Sequence, residues 1–139
     1  MDKIIIYTQS TCGYCEAVKN ELTKNNIEFE ARLINEFQDE WDKVVGLTNL
    51  PTTPIIYYKE NYFIASRDFS NAKNLVNILK DYEQSELETS IQVLEKVKTM
   101  NYNIATAFSR LDQLLRTIEQ KIDKLWVQEH KLDSQHAKK

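Results

Sequence analysis

The stretch TQSTCGYCEAV, residues 8 to 18, contains both cysteines of the 139-residue chain, Cys12 and Cys15. They follow an apolar run, Ile4 to Tyr7, and precede a segment whose apolar residues have helical spacing. Cys12 is therefore predicted at a corner between a strand and a helix. Two thiols at this spacing can be half of a zinc site, a structural disulfide or a redox pair.

Composition and the missing partners of the two cysteines favour the redox pair. A net charge of -3 argues against binding nucleic acid through bulk charge. A zinc site usually needs four ligands, and the other candidates, His130 and His136, lie far down the chain in a polar segment. The run from Ile4 to Tyr7 is too short for a signal peptide or a bilayer span, so we expect a cytoplasmic protein. Because cytoplasmic thiols are kept reduced, a structural disulfide is disfavoured there.

Hydrophobic periodicity predicts an α/β domain over residues 1–83 with the element order βαβαββα. Strands are predicted at residues 3–8, 27–34, 55–58 and 62–65, and helices from Gly13 to about Asn25, from Asn35 to Gly46 and around 75–82. The last two strands are expected to form a hairpin across Lys59, Glu60 and Asn61.

This order, with CGYC at residues 12 to 15 after the first strand, resembles the glutaredoxins, the glutathione-linked members of the thioredoxin-like fold. The segment Thr52-Thr53-Pro54 looks like the family's Thr-Val-Pro segment before the third strand, and Ile64 to Asp68 also resembles the family. The resemblance covers residues 1–83. It implies a glutathione-dependent thiol-disulfide oxidoreductase that reduces protein disulfides and glutathionyl mixed disulfides.

The two cysteines are expected to have different roles. A thiol attacks a disulfide only as the thiolate, and unpaired N–H groups and the dipole at a helix N-terminus favour the anion. Cys12 is therefore the predicted nucleophile. Cys15 lies one helical turn further in and can form a disulfide with Cys12, which makes it the predicted resolving thiol.

The resemblance also implies a set of glutathione contacts: Gln9, Tyr14, Thr53, Pro54, Arg67 and Asp68. Pro54 is expected to follow a cis peptide bond, which would let the backbone of Thr53 pair with glutathione as an extended peptide. Arg67 and Asp68 correspond to the γ-glutamyl contacts, with Asp68 accepting from the ammonium group. Tyr14 fills a position between the cysteines that is commonly aromatic in the family.

Three features depart from the family pattern. Gln9 stands where a lysine often meets the glycyl carboxylate, and Ala65-Ser66 replaces a Gly-Gly pair. Gly13 replaces the common proline, and some CGYC glutaredoxins hold a [2Fe-2S] cluster between two subunits with two glutathiones. The second hypothesis is therefore a cluster carrier or scaffold with Cys12 as its metal ligand. A third is an interaction module without thiol activity.

Residues 84–129 are predicted to form a helical extension, because residues 83–126 contain no Gly or Pro. A heptad seam is formed by Ile104, Phe108, Leu111, Leu115, Ile118, Ile122 and Leu125. A shorter seam of Leu87, Ile91 and Leu94 is out of phase with it, so the extension is either one helix with a stammer or a helical hairpin turning at residues 100–103. We expect homo-oligomers through these helices, a polar, disordered tail at 130–139, and neither nucleic acid nor membrane as a partner.

A cation at position 9 is expected to strengthen glutathione binding. Gln9→Lys restores a charge-assisted contact to the glycyl carboxylate, worth about 1 kcal/mol at a partly exposed site and hence about fivefold in Kd. Calorimetry of glutathione binding in a Cys12→Ser background measures it, with Gln9→Met as the uncharged control. Unchanged or weaker binding by the lysine variant would show that the carboxylate is held elsewhere.

Overall fold

The computed structural model describes residues 2–83 and 90–138. It confirms the α/β class and the order βαβαββα, followed by a long helix. The elements are β1 (Ile4–Thr8), α1 (Gly13–Lys24), β2 (Phe29–Leu33), α2 (Gln38–Thr48), β3 (Ile55–Tyr58), β4 (Asn61–Ile64), α3 (Ala72–Asp81) and α4 (Ile91–His136). The chain divides into two compact units, Met1–Met100 and Asn101–Lys139.

The first unit is built on a four-stranded sheet of order β2-β1-β3-β4. Strands β1 and β2 are parallel, because α1 forms the crossover between them, whereas β3 is antiparallel to both β1 and β4. The interior strand β1 leads from Thr8 directly into the turn that contains Cys12. The cysteines therefore lie at the carboxyl end of an interior strand.

Both faces of the sheet are covered. One core contains Ile6, Val18, Leu22, Ile56 and Leu75 and joins the sheet to α1 and α3; the other contains Tyr7, Trp41, Val44, Ile55 and Ile64 and joins it to α2. Since successive strand side chains point to opposite faces, a strand that packs on both sides is apolar along its length. This explains the nearly continuous apolar run at the start of the chain.

Several element boundaries differ from their predicted positions. Helix α2 was predicted to begin at Asn35 but begins at Gln38, with Phe37 as its cap residue. Helix α2 was predicted to end at Gly46 but continues to Thr48, and Asn49 supplies the left-handed cap with φ 56°. Asparagine tolerates this conformation better than most residues, so it replaces the expected glycine. In the hairpin, Lys59 and Glu60 have φ 47° and 56°, and Asn61 begins β4 instead of belonging to the turn.

Helix α4 continues without interruption through residues 100–103, so the described part of the extension, residues 90–129, contains one helix and does not form a hairpin at this point. It also continues to His136, although a disordered tail is predicted from residue 130. No Gly or Pro interrupts residues 130–136, and Ser134 donates a hydrogen bond to the carbonyl of His130. Leu87 of the predicted short seam lies outside the described residues. Within the described part of the chain, no helix is both long and apolar enough to cross a membrane.

The first turns of α4 belong to the same compact unit as the sheet. Ile91 and Leu94 are half-buried, and Glu95 and Thr99 are buried. The hydroxyl of Thr99 donates to the carbonyl of Thr48 at 2.6 Å. The compact unit thus extends to residue 100, beyond the predicted domain end at residue 83.

The beginning of α4 is expected to contribute to the stability of the first unit. A chain ending at Glu83 lacks the buried side chains of α4, and its free energy of unfolding should be lower by about 2–4 kcal/mol than that of a chain ending at Met100. Urea denaturation followed by circular dichroism measures both. Equal stabilities would show that α4 adds nothing to this unit.

Candidate active site

Cys12 is the N-cap residue of α1. The turn from β1 is closed by a hydrogen bond from the backbone N–H of Cys12 to the carbonyl of Gln9 at 3.3 Å. Cys12 has extended backbone angles, φ -90° and ψ 98°, and its Sγ accepts a hydrogen bond from the backbone N–H of Cys15 at 3.1 Å. The sulfur takes the place that a serine or aspartate oxygen usually has at a helix start. A thiolate at Cys12 would accept a hydrogen bond from the same N–H group.

Cys12 and Cys15 form a disulfide, with their Cα atoms 5.2 Å apart. Cys15 is fully buried, whereas Cys12 is partly exposed and Gly13 beside it is exposed. A disulfide on another protein can therefore approach Cys12 but not Cys15. This asymmetry supports the predicted roles of nucleophile and resolving thiol.

The peptide bond between Thr53 and Pro54 is cis, as the resemblance implies. Pro54 is buried and Thr53 is partly exposed. The carbonyl oxygen of Thr53 lies 3.8 Å from the Sγ of Cys12. In the disulfide this sulfur has no hydrogen to donate, so the approach is a contact; a reduced thiol could donate to the same carbonyl. The backbone of Thr53 thus lies beside the reactive sulfur.

Tyr14 connects the CGYC turn to the segment after β4. Its ring stacks on Phe69 with centroids 6.0 Å apart and planes inclined by 10°. Burial raises the pKa of the Tyr14 phenol above its ordinary value of 10.0. Phe69 was not among the predicted site residues. The aromatic pair is formed across 55 positions of sequence, which periodicity cannot reveal.

Asp68 and Arg67 lie in the turn between β4 and α3. Ser66 has φ 68°, a left-handed conformation that a glycine adopts more readily, so this turn forms without the family's Gly-Gly pair. The Oδ2 of Asp68 accepts from the backbone N–H of Ile64 at 2.7 Å and from Nε of Arg67 at 2.9 Å. Its side chain is 14% exposed, whereas that of Arg67 is 1% exposed. Asp68 is thus the more accessible of the two predicted γ-glutamyl contacts.

The structure brings part of the predicted site together. The backbones of Gln9 and Thr53 and the cis Pro54 adjoin Cys12, and Tyr14 lies on the same turn. Arg67 instead directs its guanidinium into the protein, towards α4. Among residues 2–83 and 90–138, no three His, Cys, Asp or Glu side chains group so that they could hold a metal ion.

This chain is similar to a known protein family and to a solved structure. The family model for glutaredoxin matches residues 4–63. The crystal structure of a glutaredoxin from Archaeoglobus fulgidus is similar to this chain at 19% sequence identity, covering 58% of this chain and 88% of that one, with a TM-score of 0.48. A search of curated proteins gave no match.

The matched family and the CxxC disulfide define the chemistry of the site as thiol-disulfide exchange. The match contains the CGYC turn, the cis-proline segment and most of the sheet. Residues 4–63 of this chain therefore form a glutaredoxin-family domain.

Proposed function

We propose that the protein is a glutathione-dependent oxidoreductase that reduces protein disulfides and glutathionyl mixed disulfides. The observation that carries the proposal is the Cys12 sulfur, partly exposed, capped by the N–H of Cys15 and adjacent to the carbonyl of Thr53. This sulfur combines access for a substrate with a backbone N–H that could stabilise the thiolate. Its partner Cys15 is buried within bonding reach.

Reduction of a protein disulfide would use both cysteines. The Cys12 thiolate attacks one substrate sulfur, forming a mixed disulfide and releasing the other substrate sulfur as a thiolate that takes up a proton. Cys15, deprotonated, then attacks the Sγ of Cys12, which closes the Cys12–Cys15 disulfide and releases the second substrate thiolate. Two electrons have passed from the protein to its substrate. The disulfide seen in the structure corresponds to this oxidised state.

Removal of glutathione from a glutathionylated protein would need Cys12 alone. Its thiolate attacks the glutathione sulfur, releases the protein thiolate and retains glutathione as a mixed disulfide. A second glutathione, as thiolate, attacks the retained glutathione sulfur and regenerates the Cys12 thiolate with oxidised glutathione as product. Two glutathiones likewise reduce the Cys12–Cys15 disulfide.

The residues around Cys12 suit an extended tripeptide substrate. The backbone of Thr53 offers strand-like pairing next to the sulfur, and the Tyr14 ring, backed by Phe69, provides an apolar wall. Asp68 is an acceptor for the γ-glutamyl ammonium group. Arg67 remains a predicted contact of the γ-glutamyl group. Because its guanidinium is buried and contacts Asp68, we expect it to act on the substrate through Asp68. Gln9 remains the predicted neighbour of the glycyl carboxylate.

The cluster hypothesis is favoured by no observation in the described residues, and we do not propose it. Anaerobic purification tests it directly, because a bound [2Fe-2S] cluster would give visible absorption. A cytoplasmic location is part of the proposal, since a catalytic disulfide of this kind works where glutathione is kept reduced.

Serine substitutions of the two cysteines test the proposed function. Cys12→Ser should abolish turnover with both substrate classes, because it removes the attacking sulfur. Cys15→Ser should retain removal of glutathione from a glutathionylated peptide but lose reduction of a protein disulfide by at least about tenfold, because the mixed disulfide is no longer resolved internally. Assays coupled to glutathione reductase measure both reactions.

Two outcomes would contradict the proposal. Full activity of Cys12→Ser would show that the roles are misassigned. Wild-type activity with dithiothreitol but not with glutathione would leave a thiol-disulfide oxidoreductase whose reductant is a different thiol.

We also propose that a second copy of the chain covers the heptad seam of α4. All seven side chains from Ile104 to Leu125 are between 48% and 67% exposed, and they share one helix face. Burying a large apolar side chain contributes roughly 1.5–3 kcal/mol, so a seam of this length can offset the entropy lost on association. Self-association is favoured because a regular heptad repeat is complementary to another copy of itself.

Charges placed in the seam should separate the copies. The double variant Leu111→Asp with Leu115→Asp is expected to be monomeric, whereas the wild type is a dimer or larger at micromolar concentration, as measured by light scattering with size exclusion. The matched control is Gln113→Asp with Gln120→Asp, which adds two acidic groups outside the seam. A monomeric wild type would contradict the proposal.

A further inference from the structure

A group of four charged side chains lies between α4 and the turn that carries Asp68. It comprises Arg67, Asp68, Glu95 and Lys98, two cations and two anions, and we call it the Arg67 cluster. Glu95 is fully buried, and the Arg67 side chain is 1% exposed. Buried charges are retained where partners compensate them, so each member depends on the others. The exchange steps proposed above use neither Glu95 nor Lys98.

Arg67 is held from two sides. Its Nη2 lies 2.7 Å from Asp68 Oδ2 and 2.7 Å from Glu95 Oε2, and it donates to the carbonyl of Tyr62 at 3.0 Å. The approach to Glu95 is close but not aligned as a hydrogen bond. Its Nη1 donates to the hydroxyl of Thr99 at 3.1 Å. Two residues of α4 thus orient the guanidinium that contacts Asp68.

Asp68 uses a single carboxylate oxygen in its described contacts. Oδ2 receives the N–H of Ile64 and the guanidinium of Arg67, which leaves Oδ1 for an external donor. If the whole positive charge of Arg67 acted on the Asp68 carboxylate, it would compete with a substrate ammonium group for that carboxylate. Glu95 shares the charge of Arg67, so Asp68 keeps more of its negative potential.

We propose that Glu95, with Thr99, is a positioning residue that acts through Arg67 to orient the Asp68 carboxylate and to preserve its attraction for the ammonium group of a γ-glutamyl substrate. The inference rests on the proposed function. It makes α4, which lies outside the matched glutaredoxin segment, part of the substrate-binding apparatus. The chemical group recognised is a primary ammonium next to a carboxylate.

The test compares glutathione with its analogue glutaryl-cysteinylglycine, which lacks the amino group. The measured quantity is the ratio of kcat/KM for glutathione to kcat/KM for the analogue in the full-length protein. The wild type should prefer glutathione, and Glu95→Gln should reduce that preference on the order of fivefold, through KM, because the Arg67 charge then acts on Asp68 alone. A merely structural effect of the variant would change both substrates alike and leave the ratio unchanged.

Two further variants complete the design. Glu119→Gln removes the same charge from an exposed position of α4 and should keep the wild-type ratio. Thr99→Val retains the shape of Thr99 but removes the hydroxyl that accepts a hydrogen bond from Arg67. It should reduce the preference for glutathione over the analogue as well. It also tests the proposal independently if Glu95→Gln does not fold.

The outcomes separate the two proposals. An unchanged ratio in folded Glu95→Gln and Thr99→Val, or a wild type that does not distinguish the two thiols, would overturn the positioning role and leave the glutathione-dependent activity standing. A wild type that is active with dithiothreitol but not with glutathione would overturn the proposed function, and the positioning role with it.

Discussion

The hydrogen bond from the backbone N–H of Cys15 to the sulfur of Cys12 joins the fold to the chemistry of this protein. A helix start leaves N–H groups without intrahelical partners, and here a sulfur accepts one of them. The same geometry stabilises α1 and places an N–H donor, which can stabilise a negative charge on the sulfur, beyond the end of β1. Because β1 has neighbours on both sides and α1 packs on one face of the sheet, the position of Cys12 is determined by the core. The packing of β1 and α1 against each other thus fixes the position of the reactive sulfur.

The second organising feature is the set of polar contacts that the first turns of α4 make within the first unit. A helix that packs through apolar residues alone can slide or rotate at modest cost, whereas buried charges tolerate few arrangements. Glu95 and Thr99 contact Arg67, and Thr99 also donates to the carbonyl of Thr48. Lys98 donates to Asn61 and to the carbonyl of Tyr62. The net stability from such groups is small because desolvation offsets their attraction. Such groups favour one register of the first turns of α4, because a shifted register would leave buried charges without partners.

Different parts of α4 therefore carry different surfaces. Its first turns have a polar, buried face that belongs to the first unit, and residues 104–125 have an apolar, exposed face with a heptad repeat. Ile91 and Leu94, the described residues of the shorter seam, lie half-buried in the first of these environments, and the longer seam lies exposed in the second. The change of phase near Met100 is accommodated within one continuous helix.

Much of this protein follows from its sequence alone. The apolar run before CGYC and the period-two and helical patterns predicted the element order, and the spacing of the two cysteines predicted that they can form a disulfide, because each depends on local chain geometry. The cis proline was implied by the resemblance of the Thr-Thr-Pro segment to the glutaredoxins. The sequence did not predict that Phe69 stacks on Tyr14, that Arg67 turns inward, or that Glu95 and Thr99 are buried. Glutamate and threonine are usually exposed, and their burial depends on an arginine about thirty positions away. Such pairings arise when distant elements pack, and only the tertiary structure decides them.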